Sequence, residues 1–330
     1  MRLGRIGTPT AMQLLPRHRI DARAWDTCVA ASAQRVIYGF SWYLDTVLPG
    51  PDWKWMGLVE TDTNGGYAAV MPVPLRRKWG AWRVHQPFFC QILGVFSRDH
   101  LLDTRPFYQL VYQRFSYGSV WQVGQHPPVD VPFGLVRPLS TQVLDLSDTY
   151  SAIHARYTPD RRRNLRRAKT AGWYVRETTD VEPLIVLFRD NHAHTIEGGV
   201  ADWAYNILQN LYAELQKRGL ATLLYTERNG KTEAGALFVQ HQNRILYLFN
   251  AATEAGRSGN ARTLLLDQFI QQKAGQRLLT GPVLLDFESP EKALIRDFYA
   301  SFGAVIQPFW SVRWDRLTWP ERLFRWLLTR

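Results

Sequence analysis

The sequence predicts an α/β protein made of two related halves. Three observations lead there: two hairpin patterns centred on Asn-Gly, a like order of elements around each, and enough apolar residues for two cores. The chain has 330 residues, 46% of them hydrophobic, which suits two domains of ordinary size. Residues 53–77 read as two strands around Asn64-Gly65, a favoured hairpin turn. Residues 221–241 repeat that pattern around Asn229-Gly230.

Taken in order, residues 1–11 are mostly Gly, Pro, Thr and Arg without periodicity and read as a loose tail. Met12 is an alternative start, because the ordered pattern begins at 13–15. Helices are expected at 21–33 and 41–48, ahead of the first hairpin. A strand at 81–89, a helix at 104–117 and a strand at 119–123 follow it. The Pro-rich stretch 126–138 leads to a join near 137–141. Beyond the join the order recurs: helices at 182–190 and 202–218, the second hairpin, a strand at 244–250, a helix at 261–274 and a strand at 283–287. This repetition predicts an internal duplication, with domains at 12–139 and 140–330. The second would hold a basic helix at 159–171 and a C-terminal helix at 320–330.

The basic helix is the strongest functional signal. Lys and Arg number 40 against 29 Asp and Glu, a net charge of +11. Six of those positive charges fall within Arg161–Lys169; without them the net is +5. Thr158 suits the N-cap, Pro159 the first helical position, Asp160 the positive end and Gly172 the stop. At a helical period Leu165 and Ala168 face inward, Arg161 and Asn164 border that stripe, and the other arginines form two flanks. Arginine grips oxyanions at two points, so an anionic or phosphorylated small-molecule substrate is expected, with Arg162, Arg163, Asn164 and Arg166 as its binding residues.

Cys28 and Cys90 are the two cysteines; they supply no disulfide framework or metal spacing. No apolar stretch reaches membrane-span length and no signal-peptide core follows Arg2 and Arg5, so a cytoplasmic location is expected. The end of the chain is amphipathic. Leu323, Phe324, Trp326 and Leu327 alternate with Arg322, Arg325 and Arg330, which suits docking onto the body or weak contact with a membrane surface.

Five stretches together resemble the Fem-type branch of the GCN5-related N-acetyltransferase (GNAT) superfamily. They are Trp25-Asp26, the run Tyr38 to Asp45, Gln91 to Gly94, the arginine helix through Asn164, and Asp286 to Ser289 followed by Phe298-Tyr299 and Phe302-Gly303. The resemblance implies two tandem GNAT-like (acyl-CoA N-acyltransferase) domains, each a mixed, mostly antiparallel sheet flanked by helices. It implies transfer of an acyl or aminoacyl group from acyl-CoA or aminoacyl-tRNA to an amine, such as a cell-wall or other phosphorylated precursor. No covalently bound cofactor is implied. The superfamily's pyrophosphate loop corresponds to Gly256–Ala261, where Arg257, Ser258 and Gly259 would meet the carrier, but Gly256 stands at its usual Gln/Arg position. Coenzyme A and a plain helix-capping turn therefore both remain open there.

Amide formation needs juxtaposed reactants, a base for the amine and stabilisation of the oxyanion. Asp286 and Glu288, at the end of an apolar strand, are the candidate catalytic carboxylates; capping the following helix is their alternative role. Tyr38 and Gln91 are candidate groove residues. His192 and His194 lack a third ligand at metal spacing, and Cys90 lacks any activating neighbour in sequence. Two other readings stay open: an RNA-binding protein without transferase activity, with tRNA as the partner, and a GNAT-like scaffold that has lost its chemistry.

Overall fold

The computed structural model describes residues 12–99, 101–196, 198–289 and 292–328; the expected tail at 1–11 lies outside them. The described residues form two compact units, one of 12–139 with 308–328, the other of 140–307.

The first unit contains β1 (Gln13–Pro16), α1 (Ala22–Ala31), α2 (Ser41–Val47), β2 (Trp53–Thr61), β3 (Tyr67–Lys78), β4 (Ala81–His85), β5 (Phe96–Ser97), α3 (Arg105–Arg114) and β6 (Tyr117–Val123). Strands β1 to β4 pair antiparallel in sequence order, and β6 lies parallel to β4 after the α3 crossover. The β2–β3 connection is longer than a two-residue turn. Asp62 Oδ1 accepts from the N–H groups of Asn64 and Gly66 (2.9 and 2.8 Å) and stitches the loop 62–66. Strand β4 ends at His85 rather than at residue 89, because Pro87 follows and Phe89 adopts φ 56°.

Two of the resemblance stretches are architectural. Trp25 Nε1 donates to the Gly39 carbonyl (2.8 Å), and Asp26 accepts from the backbone N–H and hydroxyl of Ser41 (2.7 and 3.0 Å). Asp45 accepts from Trp55 Nε1 and from Arg17 Nη2, both at 2.8 Å. These bonds tie α1, α2 and β2 into one corner. A Cβ on Gly39 would lie 2.6 Å from Phe96, and one on Gly57 would lie 2.4 Å from Trp25.

The second unit contains β7 (Leu135–Asp145, from residue 140), α4 (Tyr150–Ala155), α5 (Pro159–Thr170), β8 (Tyr174–Thr178), α6 (Glu182–Asn191) and α7 (Asp202–Lys217). There follow β9 (Ala221–Arg228), β10 (Lys231–His241), β11 (Arg244–Ala252), α8 (Glu254–Ser258), α9 (Ala261–Lys273), the short pair β12 (Arg277–Leu278) and β13 (Gly281–Pro282), β14 (Leu284–Asp286) and α10 (Ala293–Ala300). Its sheet runs β8–β9–β10–β11–β14–β7, and only β11 and β14 are parallel neighbours. Here the Asn-Gly turn is a tight two-residue one, with φ 52° at Asn229 and 73° at Gly230, as a type I′ hairpin requires. The first unit has the same succession of hairpin, third antiparallel strand, crossover helix and parallel strand, so the duplication is visible in the topology.

Each sheet closes with one more antiparallel strand. In the second unit this is β7, through Val143–Asp145 against β14. In the first it is β15 (Val305–Asp315), which pairs with β6 from Trp310 onward. The helix α11 (Trp319–Leu328) follows β15 and is held by Arg83 to Glu321 (3.1 Å) and Arg325 to Asp315 (2.8 Å). Residues 308–328, assigned to the second domain on sequence, therefore belong to the first unit. The cause is strand pairing across a large sequence separation, which no local pattern reveals.

Candidate functional site

Strands β11 and β14 stay in register over three pairs, from Arg244/Leu284 to Leu246/Asp286. There β14 stops while β11 runs on to Ala252, and the parting of two parallel strands opens a recess at their carboxyl ends. The recess is a cavity of about 450 Å³. Tyr247, Leu248 and Asn250 of β11 line it, with Phe287 and Glu288 after β14, and Leu294, Ile295, Phe298 and Tyr299 around α10. Arg262 of α9 and His192 at the end of α6 complete the wall.

Glu288 is the titratable group that stands out. The residue is half-buried, its Oε1 is buried with no hydrogen-bond partner among the described residues, and desolvation pushes its carboxyl up to about 8. It also holds φ 46°, a left-handed conformation that costs a side-chain-bearing residue free energy. Asp286 fixes that conformation from below, accepting the Glu288 N–H (2.9 Å), the Thr141 hydroxyl (2.7 Å) and Arg244 Nη2 (2.5 Å). The two sequence candidates thus part company: Asp286 is committed to an ion pair, and Glu288 faces the cavity. Neither caps α10, which begins at Ala293 after Lys292.

Around Glu288 the cavity carries proton donors. Tyr247 Oη is buried with no partner among the described residues, and burial raises its pKa and keeps the hydroxyl protonated. Arg262 Nη1 donates to Asn250 Oδ1 (3.1 Å). His192 Nε2 accepts the Ala252 N–H (3.2 Å), while burial and then Arg262 and Arg257 lower its pKa. The ring is therefore neutral near pH 7 with its proton on Nδ1. Among the described residues no group of three or more His, Cys, Asp or Glu side chains is placed to hold a metal ion.

The stretch corresponding to a pyrophosphate loop is folded on itself. Thr253 Oγ1 accepts the Gly256 N–H (2.9 Å), and the N–H groups of Arg257, Gly259 and Asn260 reach the carbonyls of Thr253, Ala255 and Arg257. Trp173 Nε1 donates to the Gly259 carbonyl (2.7 Å) and its ring covers that glycine. Arg257 turns back to the Ala252 carbonyl (2.8 Å), and the Ser258 hydroxyl to that of Ala255 (3.2 Å). A phosphate cradle needs amide groups directed outward; these four are spent within the loop, which leaves the first N–H groups of α9, at Ala261 and Arg262, as those that could meet a phosphate. The glycines serve packing instead. A Cβ on Gly256 would stand 2.1 Å from the Glu233 carbonyl oxygen. Gly256→Ala is accordingly expected to destabilise the fold by about 1–3 kcal/mol, read as a lower Tm, rather than to weaken donor binding selectively.

The arginine helix, α5, divides its charges. Arg161 is the buried member: Nε donates to Ser301 Oγ (2.8 Å), Nη1 to Thr263 Oγ1 (2.6 Å), and its guanidinium lies 4.2 Å from the Phe298 ring centre. It thereby anchors α10, which walls the cavity. Arg162 donates to the Tyr157 carbonyl (2.7 Å), and Arg163 pairs with Asp160 (2.5 Å). Asn164 is half-buried and Arg166 exposed. None of Arg162, Arg163, Asn164 or Arg166 lines this cavity; α5 instead presents an outward basic face and one inward anchor. In the first unit Tyr38 is buried and Gln91 half-buried, and the Tyr38 hydroxyl and Gln91 Oε1 have no partner among the described residues. Cys28 and Cys90 are buried thiols, both pushed up by desolvation.

Residues 156–281 match the family model described as acetyltransferase (GNAT) domain. The search of curated proteins gave no match. Among solved structures, FemX superposes with a TM-score of 0.61 at 12% identity, over 97% of this chain and 100% of that one. A tandem GNAT protein from the clavulanic acid biosynthesis pathway gives 0.53 at 12% identity, covering 92% and 98%. L-PGS from Bacillus licheniformis gives 0.51 at 13% identity, covering 94% and 96%. The chain thus has a tandem GNAT fold like that of FemX, and its residues 156–281 match the acetyltransferase (GNAT) domain model.

Proposed function

We propose that the protein is an N-acyltransferase whose reaction takes place in the cavity beyond β14, with Glu288 as the base. The observation that carries this reading is a half-buried carboxylate whose Oε1 is buried with no partner among the described residues, pushed up to about 8 by desolvation and lining a cavity large enough for a small substrate. The amine nitrogen attacks the donor carbonyl, a C–N bond forms, and the ester or thioester bond breaks. The proton lost by nitrogen passes to Glu288 and returns to the leaving oxygen or sulfur. Tyr247 and Arg262 supply donors to the oxyanion in that low-dielectric site.

Of the two carriers, the folded loop at residues 253–260 favours an aminoacyl ester on tRNA over coenzyme A. The outward face of α5, with Arg163, Arg166, Arg167 and Lys169 exposed, offers a place for its phosphates. The test offers the full chain tRNA charged with labelled amino acids and, separately, labelled acyl-CoA, each with a panel of amines. Transfer from tRNA is expected; transfer from acyl-CoA alone, or from neither, contradicts the reading. Arg163→Glu with Arg166→Glu is expected to weaken tRNA binding by roughly tenfold or more at low salt, while Tm stays unchanged. Unaltered binding removes α5 from the interface.

A further inference from the structure

Helix α11 is mounted the opposite way to an ordinary surface helix. Its polar side faces the first unit. Glu321 meets Arg83 (3.1 Å) and the Thr318 N–H (2.9 Å), Arg322 donates to the Leu317 carbonyl (3.1 Å), and Arg325 pairs with Asp315 (2.8 Å) over the rings of Trp79 and Tyr117. At 100° per residue Trp326, Trp319, Leu323 and Leu327 form one continuous stripe with Phe324 at its edge. That stripe points outward among the described residues: Trp319 is 74% exposed, Leu327 59%, Phe324 50%, Trp326 47% and Leu323 42%. A helix in a globular protein normally turns such a stripe to the core; here ion pairs hold the helix in place with the stripe exposed.

We propose that α11 lies on the surface of an anionic phospholipid bilayer and carries the protein to it as a peripheral, reversible ligand. Three features select this occupant. Two tryptophans and a phenylalanine among leucines suit the boundary between headgroups and acyl chains. No acidic side chain lies on the stripe, since Glu321 is turned to Arg83. The chain carries +11, so a second copy is repelled and an anionic surface attracts it. No helix among the described residues is long and apolar enough to cross a membrane; the contact is therefore one of lying on, not spanning. This inference does not depend on the acyl-transfer reading.

The experiment is cosedimentation of the full chain with vesicles of phosphatidylcholine alone and of phosphatidylcholine mixed equally with phosphatidylglycerol, at low and high salt. Binding to the anionic vesicles is expected to exceed that to the neutral ones by roughly tenfold and to fall with salt, with a blue shift of tryptophan emission. Two variants, Trp319→Ser with Trp326→Ser and Leu323→Ser with Leu327→Ser, are each expected to abolish binding while circular dichroism and Tm stay unchanged. The proposal is overturned by absence of binding to the anionic vesicles, or by binding that survives both variants. It is equally overturned if light scattering shows a dimer that either variant converts to monomer, because the stripe is then covered by a second copy.

Discussion

Glu288→Gln is expected to lower kcat by roughly 10²- to 10⁴-fold, the usual worth of a positioned general base, with little change in fold. The pH profile separates this role from a structural one. The base acts as carboxylate, and burial places its proton loss at about 8; wild-type kcat/KM is expected to climb through that pH and level off above it. In the glutamine variant that ascending limb is absent. The same shift has a stability consequence of definite sign. A carboxyl whose folded pKa exceeds its unfolded value, about 4.3, favours the folded state only while protonated. Stability is therefore lost as pH rises from about 4.3 to 8, and no more is lost from this group beyond. Denaturant melts of Glu288→Gln across pH 5 to 9 are expected to show a smaller decline than wild type. An equal decline in both proteins places the carboxylate in water.

Arg161→Ala is expected to cost about 3 kcal/mol or more, because truncation leaves the buried Thr263 hydroxyl without its donor, takes one partner from Ser301 (which keeps its bond to the Phe298 carbonyl) and empties the space beside two rings. Phe298 lies 4.2 Å and Phe302 4.7 Å from the guanidinium carbon. Burial lowers the Arg161 pKa to about 10, so the group remains cationic at neutral pH. The loss also reaches the cavity, because Phe298 and Tyr299 belong to the helix that Arg161 anchors. Both Tm and kcat are expected to fall, whereas Arg166→Ala on the exposed face is expected to move stability by less than about 0.5 kcal/mol. A change at Arg166 as large as that at Arg161 contradicts this division of the helix. Lysine at residue 161 is expected to restore little, since it lacks the planar fork that serves both hydroxyls.

The two-halves architecture was legible because its signals are local. The turn residues Asn229 and Gly230 need positive φ, the alternation of apolar residues marks the flanking strands, and Thr158-Pro159 marks the start of α5. Thr158 Oγ1 does accept the Arg161 N–H (3.2 Å). What was not legible depends on distant pairing. Strand β15 meets β6 across nearly two hundred residues of chain, and no periodicity reports where a strand will find an edge.

The site divides in the same way. Glu288 and Asp286 were visible as carboxylates ending an apolar strand, but only burial and partners distinguish an ion-paired aspartate from an unpartnered glutamate. Tyr247, Asn250 and Arg262 gave no signal, because residues at strand and helix spacing look like ordinary core until the parting of β11 and β14 exposes them to a cavity. Arg161 was hidden in plain view. Helical geometry placed it on the border of the inward stripe, and its contacts with Ser301, Thr263 and Phe298 decide that it turns inward. Arg257 and Gly259 were chosen by analogy with a phosphate loop, and the cover that Trp173, 86 residues earlier, places over Gly259 is a distant contact that no local pattern reports.

The central claim is that the amine is activated inside the cavity at the end of β14. A crystal structure of the full chain with a reactive amine identified in the transfer assay tests it most directly. The account predicts the amine nitrogen within hydrogen-bond distance of a Glu288 carboxylate oxygen, walled by Tyr247 and Phe298. An amine bound productively anywhere else, with Glu288 still unpartnered, contradicts it.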